Sequence, residues 1–226
     1  MAKWMIENGS DVHQGRDGPL MRAALVGHRI PMMELLVSHG ADVNAEWNGY
    51  FPIIFAPCET VDSAALEWLL DHGANPNCAN PDRRYPGTAL DFVIATYSRS
   101  GQLGTCILTL RGATLLHVAA EYGNLGAATL LLDRGADLNA RAMVDESGIG
   151  GQTAIFHAVT QYSDWGLPMA QLLLERGADL AVRVKLPGHY ERPGEVVECT
   201  PLGYALRFPG HEGKTVALLR ERGAAG

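Results

Sequence analysis

Histidine and cysteine are the residue types in this sequence that could carry nucleophilic or metal chemistry. The chain contains eight histidines and four cysteines. The cysteines are Cys58, Cys78, Cys106 and Cys199. They lie far apart and lack C-x-x-C spacing, and no spacing among His157, His189 and His211 resembles a zinc motif. The sequence therefore predicts no metal site.

Cys199 and His189 are a nearby pair that could serve as nucleophile and base. A cysteine nucleophile needs a base within hydrogen-bond reach and a third group that orients the base. This pair sits where a predicted loop joins a helix, and we interpret the proximity as coincidence. Gly148, Gly150 and Gly151 form a glycine-rich stretch, but the phosphate-binding pattern G-x-x-x-x-G-K-[ST] is absent. We predict no catalytic residue and no cofactor.

These residues are embedded in a pattern of paired helices, which is clearest at residues 114–139. Thr114 is a suitable helix N-cap, and the apolar and small residues after it predict a short helix that ends near Gly123. Residues 125–134 predict a second helix whose leucines face a core, and Gly135 ends it. The segment is therefore predicted to be a helix-turn-helix unit followed by a turn.

The unit recurs along the chain. The Gly-Ala-Asp-x-Asn pattern of its turn returns, with variations, at Gly9, Gly40, Gly73 and Gly177, and Gly40 and Gly73 are 33 positions apart. Looser first-helix segments lie at residues 19–23, 51–56, 88–93, 153–158 and 200–205. A unit of this size that repeats predicts a solenoid, in which each repeat buries its apolar side against its neighbours.

Residues 114–119, TLLHVA, resemble the T-P-L-H-x-A motif of ankyrin repeats, and residues 135–139 resemble the family's turn into its β-finger. The resemblance implies an all-α solenoid with short β-hairpin fingers and about six to seven repeats, including partial end repeats. It also implies a structural, hydrogen-bonding role for His117. It further implies a non-catalytic scaffold that binds another protein.

We predict one continuous domain over residues 1–226, with residues 1–13 as a partial repeat. The period fails near residues 104–113, because Gly112-Ala113 runs directly into Thr114 without the usual finger. Residues 88–97 and 101–111 predict a helix pair that ends at Gly112. Either two helices are natively fused without a finger, or the chain is broken between about Gly104 and Ala113; the period favours the break.

Two further segments carry specific predictions. Residues 182–197, within a long finger at 181–199, alternate apolar and polar side chains around Pro187-Gly188, which predicts a β-hairpin. Pro57 follows the first-helix segment at 51–56 and cannot donate a backbone hydrogen bond, so the helix is expected to end there.

Composition limits the partners and the location. The apolar fraction is 47% and the net charge is −7, which favours a globular chain and argues against a broad nucleic-acid or anionic-membrane surface. No run approaches the roughly 18 apolar residues of a membrane span, and the N-terminus lacks the apolar core of a signal peptide. The dispersed cysteines are typical of a cytoplasmic protein with reduced thiols.

Aromatic and charged residues outside the predicted core are the candidates for partner contact. The family resemblance implies docking on a concave side formed by finger tips and first helices, and binding hot spots favour Trp, Tyr and Arg. The candidates are Trp47, Tyr50, Arg83, Tyr85, Tyr122, Tyr162, Trp165, His189, Tyr190 and Arg192. Each of them could instead pack against a neighbouring finger.

Two other functions stay open on the sequence. The chain could be a small-ligand binder or an enzyme with a pocket beneath the 182–197 hairpin, lined by His157, Trp165 and Tyr190, because long insertions are often functional. Alternatively, it could be an engineered or trimmed repeat scaffold, as the missing finger and the abrupt first repeat suggest.

Overall fold

The computed structural model describes residues 1–15, 17–26, 29–47, 51–60, 62–79, 112–161, 164–187, 195–207 and 213–224. Helices α1 to α11 of this part are Ala2–Glu7, Gly18–Leu25, Ile30–Ser38, Phe55–Thr60, Ser63–Asp71, Leu115–Glu121, Leu125–Asp133, Ala154–Val159, Leu167–Glu175, Pro201–Ala205 and Lys214–Glu221. Strands β1 to β4 are Glu46–Trp47, Phe51–Pro52, Val184–Pro187 and Val196–Cys199. The described part is mostly helical, with the helices in pairs.

The helix pairs stack in two rows. Helices α2, α4, α6, α8 and α10 contact one another in that order and form the first-helix row. Helices α5, α7, α9 and α11 contact one another in the same way and belong to the second-helix row. One continuous cluster of buried apolar side chains runs along the stack from Val12 to Leu219. Each pair therefore buries its apolar side against the pairs before and after it.

The turn after each second helix is closed by hydrogen bonds to the last carbonyls of that helix. After α5, the Gly73 amide donates to Leu70 O at 3.1 Å and the Ala74 amide donates to Leu69 O at 3.0 Å. The same two bonds close the turns at Gly40, Gly135, Gly177 and Gly223. This arrangement satisfies carbonyls that a helix end leaves without partners, and it explains the recurring Gly-Ala pair in the sequence.

Asparagine side chains join successive turns into a ladder. The amide of the Asn44 side chain donates to Gly73 O at 2.9 Å, and its Oδ1 accepts from the Asn75 backbone amide at 2.8 Å. Further along, Asn139 Oδ1 accepts from the Asp179 backbone amide at 2.9 Å. The ladder fixes the offset between neighbouring turns, so the fingers that follow these turns start from equivalent places.

The ladder shows that the prediction of a repeat ending at Gly112 is wrong. Asn77 donates to Gly135 O at 3.1 Å and accepts from the Asp137 amide at 2.7 Å, so the turn after α5 is adjacent to the turn after α7. Helices α5 and α7 also contact each other, as do α4 and α6. The predicted helices at 88–97 and 101–111, and most of the predicted break at 104–113, lie outside the described residues.

The segment before α6 is the end of a finger, because Ala79 and Thr114 form an antiparallel bridge. Gly112 has a φ of 63°, and a Cβ on it would lie 2.7 Å from Met143 Cβ. Glycine is therefore required at this position by the close approach of the next finger. The sequence suggested a helix end with a Gly-Ala turn at this place. Such a turn has the same two residues, but there they bond to the last carbonyls of the helix.

The fingers contain short antiparallel hairpins, as predicted. In the first, Trp47 pairs with Phe51. In the second, Val184 pairs with Cys199 and Pro187 pairs with Val196. Pro187 is therefore the last paired residue of β3 and does not form the tight turn that the Pro-Gly dipeptide suggested. The inward-facing residues of β3 and β4 alternate with exposed ones, which matches the alternation in the sequence.

The prediction that a helix ends at Pro57 is also wrong. Helix α4 begins at Phe55, so Pro57 lies in its first turn. The first amides of a helix have no intrahelical acceptor, and proline loses nothing at such a position. Among the described helices, none combines the length and the apolar character that a membrane span requires.

Candidate functional site

Most of the predicted partner contacts fall outside the described residues. These are Tyr50, Arg83, Tyr85, Tyr162, His189, Tyr190 and Arg192. Trp47 lies in β1, where its backbone pairs with Phe51. Tyr122 and Trp165 are the two candidates whose side chains are described, and they occupy different environments.

Tyr122 follows the last residue of α6, and its half-buried ring packs against the apolar core. Part of its surface thus contributes to the stack, which is the alternative role that the sequence left open. Trp165 lies in the loop between α8 and α9, and 53% of its surface is exposed. Trp165 is therefore the described aromatic candidate with the most surface available to a partner.

The two neighbours of Trp165 are held in place. On one side, a Cβ on Gly166 would lie 1.8 Å from Ala158 O, so this glycine sits directly against α8. On the other side, Asp164 has a φ of 62°, and its carboxylate accepts from the Lys214 amide at 3.0 Å and the Thr215 amide at 2.9 Å. These contacts restrain the backbone on both sides of Trp165.

Asp164 caps helix α11, which belongs to the next repeat. Its carboxylate accepts from the backbone and the hydroxyl of Thr215, and these bonds, together with that from Lys214, lower the pKa of the carboxyl. Negative charge at a helix N-terminus is also favoured by the helix dipole. The loop that carries Trp165 therefore connects two consecutive repeats.

A second cluster lies inside the first-helix row. His117 is in α6 and is buried. Its Nδ1 accepts from the Thr114 amide at 3.1 Å and from the Thr114 hydroxyl at 2.9 Å, and its Nε2 donates to Gln152 O at 3.0 Å. With one nitrogen accepting and the other donating, the imidazole is held in a single neutral tautomer. The predicted structural role of His117 is consistent with these contacts.

His157 and Glu121 extend this cluster across the contact between α6 and α8. His157 Nδ1 is 2.7 Å from Glu121 Oε2, and the two side chains are 0% and 4% exposed. The rings of His117 and His157 lie edge to face, with centroids 5.5 Å apart. Among the described residues, His157 Nε2 has no hydrogen-bond partner. The three side chains form a polar cluster in an otherwise apolar interface.

The buried cluster cannot act on a substrate in this conformation, since His157 has no exposed surface. The predicted pocket would need His157 to be accessible beside Trp165, and the structure instead pairs His157 with Glu121. Tyr190, the third residue predicted to line that pocket, lies outside the described residues.

The described cysteines are poor nucleophiles. Burial raises the pKa of Cys199 to about 11 and that of Cys78 to about 12, so both thiols are protonated at neutral pH. The thiolate is the reactive form of cysteine. In the part of the chain that the structure describes, no group of three or more His, Cys, Asp or Glu residues is arranged to hold a metal ion.

Sequence analysis missed the pairing of Glu121 with His157. The two residues are 36 positions apart, and their spacing matches no catalytic or metal motif. A signal was nevertheless present. His157 follows Phe156, which occupies the motif position of His117, so the histidine is displaced by one residue and reaches the preceding repeat.

Paired helices stacked in two rows, with a turn ladder and projecting hairpins, define a helical repeat protein. The family model described as ankyrin repeats, three copies, matches residues 1–80 and 102–184. This match covers more than half of the chain, which therefore belongs to the ankyrin repeat family. Ankyrin repeats are typically protein–protein interaction modules, and the family is generally non-catalytic.

The chain is also similar to a curated protein of Rickettsia bellii (strain RML369-C) whose name describes it as an ankyrin repeat protein. The two are 32% identical over 88 residues, which is 39% of this chain and 35% of the relative. The chain thus spans about a third of the length of that relative.

Proposed function

We propose that this chain is a non-catalytic scaffold that binds another protein on the face formed by the finger tips and the first helices. The observation that carries the proposal is the asparagine ladder, in which Asn44, Asn77 and Asn139 each bond to the next turn. Because the ladder aligns the starts of the fingers, the fingers project from one edge of the stack. A surface that is ordered before binding limits the entropy lost on docking.

The base of the long hairpin supports the same proposal. The Tyr204 hydroxyl donates to Pro187 O at 3.0 Å, and the Gly150 amide donates to Lys185 O at 2.8 Å. Arg141 bonds to Gly151 O at 2.9 Å and to Arg183 O at 3.2 Å. These contacts join the hairpin to α10 and to the preceding finger, so consecutive fingers form a connected surface.

A non-catalytic role is supported by the state of the reactive side chains. His117 uses both ring nitrogens, and His157 is buried against Glu121. The Cys78 and Cys199 thiols are protonated at neutral pH because burial raises their pKa values. The protonated thiols fit a cytoplasmic location. The ten residues singled out from the sequence, Trp47 and Trp165 among them, are our proposed contacts.

Photo-crosslinking tests the binding face. A photo-reactive amino acid is placed at position 47 or 165, or at position 171, an exposed site on α9 in the second-helix row. The full chain is then used to capture partners from the source cell. We expect one protein to crosslink from positions 47 and 165 and not from 171. Crosslinking from position 171 alone would place the partner on the opposite side and reject the proposed face.

Alanine variants supply the matched control. The Trp47→Ala/Trp165→Ala variant should lose at least tenfold in affinity for the captured protein while keeping the helical circular dichroism and the melting temperature of the Gln171→Ala variant. If the double variant keeps full affinity, neither tryptophan contacts the partner. If it unfolds, the two side chains belong to the core, and the assignment of these contacts is wrong.

A further inference from the structure

Ionisable side chains are concentrated at one interface of the stack. In the described part of the chain, the buried acidic and imidazole side chains are Asp17, His117, Glu121 and His157. Three of these four meet where α6 packs on α8. Asp17 lies elsewhere and contacts His13, whose side chain is 53% exposed, so water can reach that pair.

The other interfaces of the first-helix row carry apolar residues at the equivalent position. His117 is the fourth residue of the first-helix motif, and the fourth residue is Met21 in α2, Ile54 just before α4 and Phe156 in α8. These three side chains are buried and cannot be protonated. Acid therefore has a target in the packing of α6 and α8 and, among the side chains that the structure describes, no equivalent one between α2 and α4.

His117 cannot accept a proton without losing its contacts. A proton on Nδ1 would remove the acceptor that both the Thr114 amide and the Thr114 hydroxyl use. Burial, followed by the neighbouring His157, lowers the pKa of His117 to about 3, although the bond to Gln152 O acts in the opposite direction. In the packed interface this imidazole therefore stays neutral across the range in which an exposed histidine titrates.

The surrounding elements supply little opposing charge. Helices α4, α7, α9 and α10 pack against α6 and α8. The ionisable side chains described on these helices are Asp133, Glu175 and Tyr204. Asp133 and Glu175 are exposed at the ends of second helices, and Asp133 pairs with Arg176 at 2.8 Å. Tyr204 donates its hydroxyl to Pro187 O, and the side chains of Cys58 and Glu59 on α4 lie outside the description. Among the described side chains, Glu121 is thus the carboxylate in contact with His157.

We propose that the α6–α8 interface is the acid-labile joint of the stack. As pH falls from 7 to 5, the equilibrium for opening between α6 and α8 shifts toward the opened form, while that between α2 and α4 changes little. The proposal concerns the stack itself and does not depend on the identity of a partner.

The direction in which pH shifts the opening equilibrium follows from proton uptake. In the opened form, His117 is exposed to water and regains the ordinary histidine pKa of about 6.5. Below that pH the opened form binds a proton that the closed form lacks, so acid favours opening. For one imidazole, the opening constant should rise about 25-fold between pH 7 and pH 5.

Hydrogen exchange measured by mass spectrometry on the full chain tests the joint. After correction for the intrinsic pH dependence of exchange, protection in α6 and α8 should fall by about 25-fold between pH 7 and pH 5. Protection in α2 and α4 should fall less than threefold. An equal loss of protection in both pairs of helices would overturn the proposal.

Two variants and a direct measurement separate the joint from general acid sensitivity. His117→Met introduces the residue that α2 has at this position and should abolish most of the extra loss in α6 and α8. His39→Asn, at an exposed turn, should leave that loss unchanged. If His117→Met does not fold, the imidazole of His117 is followed by NMR in the unsubstituted chain. It should remain neutral in the closed form at pH 5, and titration near pH 6.5 without opening would reject the proposal.

Discussion

Two interfaces of the same helical row are built with different chemistry. Between α2 and α4, the fourth motif positions are held by Met21 and Ile54, which are 1% and 2% exposed. Between α6 and α8, the equivalent position of α6 holds His117, and Glu121 and His157 meet beside it. Both interfaces exclude water, so the helical row can pack either apolar or polar side chains at this position.

The difference shows what a polar interface requires. An apolar side chain contributes about 1.5–3 kcal/mol by leaving water, whatever its neighbours. A buried charged or polar group contributes only if its hydrogen bonds are made, and it costs several kcal/mol when they are lost. His117 meets this condition through Thr114 and Gln152. The apolar interface should therefore be tolerant, and the polar one should be selective and sensitive to pH.

The largest expected effect is that of removing one partner of the buried pair. His157→Ala leaves the Glu121 carboxylate buried without its imidazole, and we expect it to lower the free energy of unfolding by about 3–5 kcal/mol. Urea denaturation at pH 7 measures this loss. Glu121→Leu/His157→Phe should recover most of it, because an apolar pair of similar volume replaces the charge. A single variant that loses less than about 1 kcal/mol would show that the two interfaces do not differ.

A substitution that creates a cavity in the apolar interface is the counterpart of His157→Ala. Met21→Ala should lower the free energy of unfolding by about 3 kcal/mol, within the range for buried large-to-small substitutions. Because no titratable group is involved, the loss should be the same at pH 7 and at pH 5. Denaturation curves at the two pH values check this, and a loss that depends on pH would contradict the contrast between the interfaces.

A smaller effect tests the ladder that both regions share. Asn77→Ala removes two exposed hydrogen bonds, to Gly135 and Asp137, and should cost about 1 kcal/mol. Asn44→Ala should cost the same, although the Asn44 bond spans 31 residues and the Asn77 bond spans 60. Thermal unfolding of the two variants compares them. A clearly larger loss for Asn77 would mean that the greater sequence separation makes the stack depend more on this bond.

The smallest effect concerns an exposed contact between second helices. Arg134 pairs with Asp71 and lies 3.5 Å from Glu67, and the two acidic side chains are more than half exposed. Arg134→Ala should therefore cost about 0.5 kcal/mol at low salt and nothing measurable at 1 M salt. Urea denaturation at both salt concentrations measures it, with Arg176→Ala as the equivalent change one repeat further along.

The regular repeats could be predicted from the sequence because their signals are local. Residues 114–139 contain the cap, the leucines and the turn of one repeat, and they form α6 and α7 as predicted. Gly112 misled the prediction because Gly-Ala also begins the turns at Gly40, Gly73, Gly135 and Gly177. The distinguishing signal was Asp or Asn at the third position, which these four turns share, whereas Thr114 holds that position after Gly112. In the first of these turns, the Asp42 carboxylate accepts from the Asn44 amide at 2.8 Å.

The polar cluster could not be predicted, because it depends on how two helices from different repeats face each other. His117 was recognised from its motif, whose partners are mostly local. Glu121 and His157 belong to successive repeats, and a shift of one residue in either helix would separate them. Asp164, the neighbour of Trp165, likewise caps a helix 50 residues away, which no local pattern indicates.

The antiparallel bridge between Ala79 and Thr114 has an evolutionary consequence. It brings the two ends of one connection side by side, so this connection can grow while the stacked helices keep their places. Lengthening a flexible loop is cheap, at about 0.6 kcal/mol for each doubling. Such a point is a natural graft site, where new sequence can be acquired without refolding the scaffold. Two repeats that are adjacent in the stack can then lie far apart in the sequence.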